Sequence, residues 1–326
     1  MEQILIATNT NKEGRGICQL LLDSYSNTLS HLKQVIFEKN PTYLIFDHHN
    51  HLFIASKHDS GGGIASHYVN DNYDKLDRVY EEASAPIMLT MDHEQHRLFS
   101  LHHNGHLYSY SINDDGTLYK EDMFDVQKEI ASFIVTPDHH LLVACDNEPV
   151  LFLIQYDQRG KLSQLKTFRF EGIEGYQHLV LHPHHQYIYA TSQNSHRLHI
   201  FYYGLDHVMH EVTSLNTLPQ HAKGQCIGLI IDKQGNHLYC LNRGTNTISH
   251  FHITKDGQQL TYVQSISTEG LAPHCFNFNA DQNYLLVANE LSHNLTLFKR
   301  DHDGKLSLCS HDTAIPDTVY ILSSEN

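Results

Sequence analysis

The sequence is short of cations: 22 Lys and Arg stand against 37 Asp and Glu, a formal charge of −15 with histidine neutral. Affinity for a phosphate backbone comes from clustered Lys and Arg, so no nucleic-acid partner is expected. No apolar run approaches the ~18 residues that a membrane-spanning helix needs, so no membrane partner is expected either. The N-terminus, MEQILIATNTNKEG, carries an acid at Glu2 and only a short β-like apolar run, which is not the pattern of a signal peptide. The six cysteines include no CxxC pair and most fall in strand-like segments. They read as free thiols in a reducing cytoplasm rather than as a disulfide framework. GxSxG elbows, phosphate loops and Cys/His nucleophile arrangements are absent, so covalent catalysis is not indicated. Linkers, low-complexity tracts and long charge runs are absent too, and residues 1–326 read as one domain.

What the chain does contain is a repeat. Seven similar segments, ILIATN, HLFIAS, RLFSLH, LLVACD, YIYATS, HLYCLN and YLLVAN, place their third residues at Ile6, Phe53, Phe99, Val143, Tyr189, Tyr239 and Leu286. The steps are 47, 46, 44, 46, 50 and 47 residues. A period in the forties with several strands per unit predicts an all-β, seven-bladed β-propeller of four-stranded antiparallel blades. Each marker is the second strand of its blade, and hairpin turns such as TKDG and DHDG supply the Gly that positive φ requires. The first unit lacks a first strand, and DTVYILSS near the C-terminus is a first strand without a second. Pairing the N- and C-terminal strands would close the ring and remove an open edge.

Histidine is abundant, with 29 residues. Most, among them His48, His49, His139, His140, His184 and His185, fall in "DHH" or "PHH" turns, where they are expected to be solvated and to titrate between pH 7 and 5.

A propeller's functional place is the mouth of its channel, ringed by the start of each first strand and the end of each second strand. Those positions give Asn9; Tyr43 and Lys57; Met88, His102 and His103; Ser132 and Asp146; Gln177, His178 and Gln193; Gly228, Asn242 and Arg243; and His274, Asn289 and Glu290. The guanidinium of Arg243 suits a carboxylate or phosphate. His178, His274, Glu290 and Asp146 are able to move protons or activate water. Nothing in the spacing favours a metal set from His102, His178 and His274, and no cofactor is expected.

The segments LNRGTNTISHF (241–251), APHCFNFNADQNYLLVANELSHNLTLFKRD (272–301) and QHLVLHPHHQYIYATSQNSHRLHIF (177–201) resemble the seven-bladed lactonase family, as do ATNTNKEGRGI and GGGIASHYV. That family contains bacterial 6-phosphogluconolactonases and fungal carboxymuconate cyclases. The resemblance implies metal-independent hydrolysis of 6-phosphoglucono-δ-lactone, a step of the pentose phosphate pathway. His178, Asn242, Arg243, Asn289 and, more loosely, Asp146 match the family's site. Gln177 and His274 stand where the family has Arg, Ser192 and Gln193 where it has Asn-Glu, and Gly228 and Ile230 where it has Asp and His.

The function this implies is a cytoplasmic hydrolase of an anionic sugar lactone. Arg243 would hold the anion, while His178 and Glu290 would position and deprotonate water. Asn242 or Asn289 would donate to the oxyanion, and Asp146, Gln177, Gln193 and His274 would bind substrate. The role of Glu290 rests on its chemistry rather than on a match. The alternatives are a propeller that binds a small ligand or a protein without catalysis, and a lactonising cyclase that uses the same site.

Overall fold

The computed structural model describes residues 1–192, 195–218, 222 and 224–323. Among the described residues the chain forms seven four-stranded antiparallel sheets. Six blades run in sequence order from the channel outward; blade two, for example, is Pro41–Phe46, His51–His58, Gly61–Tyr68 and Asp74–Tyr80. Blade one takes its inner strand, Thr318–Ser323, from the C-terminal end and places it against Glu2–Thr8, with Ile6 opposite Ile321. The expected closure is therefore made. Glu2 secures it, accepting hydrogen bonds from Asn279 Nδ2 and the Ala280 amide, both at 2.7 Å.

The second strands are largely apolar and buried because both of their faces are covered. In blade four, Leu141, Val143 and Cys145 pack with Phe99, Leu101 and Leu107 of blade three. Leu142 and Ala144 between them pack with Tyr176, Leu179 and Ile188 of blade five. The fourth strands face solvent; of Leu162–Arg169 only Leu162 and Phe168 are buried.

Neighbouring blades are also tied by polar bonds. Tyr189 and Tyr239 are fully buried, and their hydroxyls donate to the carbonyls of Gly257 (2.8 Å) and Gly304 (2.5 Å) in the next blade's hairpin. Those two glycines sit at φ 78° and 75°, the left-handed conformation expected of the TKDG and DHDG turns. His48, His49, His184 and His185 are exposed as expected. His139 and His140 are half-buried instead, with His139 Nδ1 2.7 Å from Asp92 Oδ2, because a turn that meets the next blade is not solvated on both sides.

Candidate active site

Two rows of residues make the channel mouth, and each has a local backbone cause. In six blades the inner strand carries one extra residue near its start, seen as a register shift against the second strand. The extra residues are Thr42, Ala131, Gln177, Ile227, His274 and Val319, and all of them line the channel. A bulge breaks the alternation of a strand and re-aims side chains. Gln177 and His178 consequently both face the cavity, as do His274 and Cys275.

The second row lies at the end of the second strands, where alternation is decisive. Ser56, His102, Asp146, Ser192, Asn242 and Asn289 occupy one repeat position and are all 8% exposed or less. They point between blades. The following residues, Lys57, His103, Arg243 and Glu290, are exposed or half-buried. The candidates thus separate. Gln177, His178, Arg243, His274, Tyr43, Met88 and Gly228 line one cavity of about 910 Å³.

Asn242 and Asn289 do not line it. The Nδ2 of Asn242 donates to Ser249 Oγ at 3.0 Å, and that of Asn289 donates to Thr296 Oγ1 at 3.1 Å. These amides hold their own blades together, which removes them as donors to a substrate. Asp146 is also set apart, beside His103 Nε2 at 3.9 Å, and burial raises its pKa above the usual carboxylate value. His103, Glu129 and Asp146 converge closely enough to hold a cation. His102 is buried against Glu81 and Glu82, so His102, His178 and His274 do not converge on a metal. Gln193 lies outside the described residues.

The charged cluster at the rim joins blades six, seven and one. Arg243 Nη2 is 3.0 Å from Glu290 Oε2, and Lys12 Nζ is 3.5 Å from Glu290 Oε1 and 3.6 Å from Asp317 Oδ1. His274 Nδ1 is 4.0 Å from Glu290 Oε2. Burial works against ionisation of Glu290, but His274, Arg243 and Lys12 outweigh it and hold the carboxyl below its ordinary pKa. Desolvation lowers the pKa of His274 in spite of Glu290. His178 has no hydrogen-bond partner among the described residues, and desolvation pushes its pKa down to about 4. At neutral pH its ring is therefore uncharged.

Lys12 and Asp317 are absent from the sequence ring, which takes Asn9 from blade one and omits the start of the closing strand. The pairing of DTVYILSS with the N-terminal strand already brings Asp317 to the mouth. Beneath the rim, the rings of Tyr43 and Tyr320 lie 4.1 Å apart and form an aromatic wall. At Gly228, where the resemblance expects an acid, an added Cβ would stand 3.0 Å from Phe276 Cε1. The Phe276 ring fills the space an acidic side chain would need.

One arrangement that spacing did not disclose is a Ser–His–Glu relay. Ser192 Oγ is 2.8 Å from His199 Nε2, and His199 Nδ1 is 2.7 Å from Glu211 Oε1. Ser192 is 1% exposed and holds the same repeat position as Ser56, which donates to buried Glu38 at 2.6 Å. No substrate carbonyl reaches it, so the relay is a packing tie.

The chain is a closed all-β propeller whose channel holds a pre-formed cavity, with a guanidinium at its rim and a neutral imidazole inside. The chain belongs to the family described as "Lactonase, 7-bladed beta-propeller", which matches residues 3–323, and it is accordingly a hydrolytic enzyme of the lactonase class. The 6-phosphogluconolactonase of Bacillus subtilis (strain 168) is 25% identical over 340 residues, covering 97% of this chain and 96% of that one. A protein of known structure from Lactobacillus plantarum is 28% identical and superposes with a TM-score of 0.93 over 99% of both chains. The periplasmic gluconolactonase of Pseudomonas aeruginosa shares the fold, with a TM-score of 0.89 at 20% identity over 99% of this chain and 98% of that one.

Proposed function

We propose that this chain, acting as one domain over residues 1–326, hydrolyses a sugar lactone at the channel mouth, with 6-phosphoglucono-δ-lactone the first candidate. The observation that carries the reading is that His178 and Arg243 line the same cavity, one uncharged and one cationic. The Arg243 fork holds the anionic group of the substrate. His178 accepts a proton from water as the water oxygen attacks the lactone carbonyl; the ring C–O bond then breaks, and the imidazolium returns that proton to the departing ring oxygen to give the hydroxy acid and the neutral histidine. A δ-lactone holds its ester in the less stable E geometry, so its carbonyl is reactive enough for a weak neutral base. Gln177, beside His178 on the bulge, donates to the developing oxyanion. The Tyr43–Tyr320 wall supports the sugar ring.

Glu290 takes a different part from that of a base. Its two oxygens face Lys12 and Arg243, so both are engaged by cations, whereas the His178 ring has no partner among the described residues to give up. Glu290 orients Arg243 and tempers its charge. The shared name of the Bacillus subtilis relative supports the phosphorylated substrate, and six free cysteines support a cytoplasmic site of action.

The test is a comparison of wild-type rates on 6-phosphoglucono-δ-lactone and unphosphorylated glucono-δ-lactone against the spontaneous reaction. Acceleration of the phosphorylated lactone supports the reading. Acceleration of the neutral lactone alone would leave a lactonase without the anion requirement. Acceleration of neither, by well-folded protein, would turn the reading to the non-catalytic binding propeller.

A further inference from the structure

At the face of the propeller opposite the proposed active site, Asp138, His140 and His207 bring three ligand atoms within 4.8 Å of one another. Asp138 belongs to the turn between the first two strands of blade four, His140 opens the second of those strands, and His207 belongs to the turn between the last two strands of blade five. His207 Nδ1 is 3.0 Å from Asp138 Oδ2, and His140 Nδ1 is 3.5 Å from the same oxygen. The two imidazoles meet edge to face with ring centroids 4.8 Å apart.

We propose that Asp138, His140 and His207 form a divalent transition-metal site, best suited to Zn²⁺, that clamps blade four to blade five. Ligands about 2.0–2.1 Å from a tetrahedral zinc stand roughly 3.3 Å from one another. The two short separations here bracket that value, so only small side-chain movements are required. Two imidazoles and one carboxylate match the ligand preference of zinc and leave a fourth position for water. His140 Nδ1 is a buried nitrogen with no hydrogen-bond partner among the described residues, an orphan that a metal would satisfy. Asp138 is oriented by Thr136 Oγ1, which donates to Oδ1 at 2.6 Å, and by the Tyr203 hydroxyl at 3.0 Å from Oδ2. A ligating carboxylate is commonly held in this way by further hydrogen bonds. Asp92 of blade three meets one imidazole, that of His139, and the Tyr156 hydroxyl of the next blade, as Asp138 meets His207 and Tyr203; the second imidazole, His140, is what sets the cluster of blades four and five apart.

Binding to the folded chain alone would stabilise it by mass action. The test uses the full chain stripped by chelator, with Co²⁺ as a spectroscopic probe, Zn²⁺ as competitor and thermal unfolding as a second readout. The expected result is one Co²⁺ per chain with the intense visible bands of a low-coordinate site, displaced by Zn²⁺, together with a higher Tm. In His207→Gln and Asp138→Asn the affinity should fall by more than the roughly 100-fold that losing an outer hydrogen-bond partner of a metal ligand costs. His103→Gln, in the other convergent cluster, should leave the bands intact. Two folded-state variants guard against one that merely destabilises the turn. Absence of the bands in the wild type, or their persistence in both variants, would assign any cobalt uptake to scattered surface histidines and overturn the site.

Discussion

Arg243 Nη2 lies 3.0 Å from Glu290 Oε2, joining the ends of the second strands of blades six and seven across the channel rim. With Lys12 and Asp317 added, the rim carries two cations and two carboxylates, and its formal charges cancel. Arg243 is thus an anion-binding group that is already partly engaged. Glu290→Gln removes the competing carboxylate and should raise the ratio of kcat/KM for a phosphorylated lactone over its unphosphorylated counterpart. A half-exposed pair is worth about 0.2–1 kcal/mol, so the expected change in that ratio is a factor of roughly 1.4–5. A large loss of kcat on both lactones, with the ratio unchanged, would return Glu290 to the role of a base.

His178 must be uncharged to accept a proton. Its pKa, pushed down to about 4 by desolvation, places the acid limb of the kcat/KM profile near that value, with activity retained above it. His178→Asn should lower kcat by about 100-fold or more, the usual contribution of a positioned base, with circular dichroism unchanged. A variant of normal kcat would remove His178 from the proton transfer, whereas an acid limb near the ordinary histidine value of 6.5 would mean that the ring is less desolvated than the cavity implies.

His182 makes a different acid-sensitive contact. Its Nδ1 accepts from the amides of His184 and His185 at 3.1 Å, and its Nε2 donates to the Gly235 carbonyl at 3.0 Å. Desolvation and the neighbouring His185 lower its pKa to about 4, while the unfolded chain takes up the proton near 6.5. The unfolded state therefore binds more protons in that window, and stability falls as pH drops from about 6.5 to 4. Tm measured from pH 7 to 5 should decline, and less steeply in His182→Asn, since blade seven uses Asn279 in the equivalent turn. Equal slopes for the two proteins would exclude His182 as a contributor.

Removing the buried hydroxyl in Tyr189→Phe leaves the Gly257 carbonyl without that donor at an otherwise unchanged contact. The expected loss is about 1–1.5 kcal/mol, read as a lower urea midpoint with an unchanged m-value. Lactone hydrolysis should be unaffected, because the bond lies between blades and away from the rim.

Blade number, strand order and ring closure were legible because each depends on short-range pattern: apolar second strands, Gly-bearing turns and a spare strand at either end. The site was legible only to the nearest residue pair. Arg243 and Asn242 are neighbours in sequence, yet strand alternation sends one to the rim and buries the other between blades. The same division separates Glu290 from Asn289, and it sets the buried Asp146 apart from the exposed Asn147. The bulge that turns both Gln177 and His178 inward has no residue signature in this sequence, since Thr42, Ala131, Ile227 and Val319 occupy the same place in other blades. Lys12 reaches Glu290 across 278 positions of chain, and only the closed ring brings the two together.

The central claim is that this channel mouth hydrolyses an anionic sugar lactone with Arg243 as its anchor. It is tested most directly by measuring hydrolysis of 6-phosphoglucono-δ-lactone, at a pH where the spontaneous reaction is slow, for the wild type and for Arg243→Ala. The wild type should accelerate the reaction clearly, and kcat/KM should fall about 10-fold or more in the variant, the loss of one charge-assisted contact worth roughly 1.5–3 kcal/mol. A wild type that accelerates nothing, or a variant as active as the wild type, would contradict it.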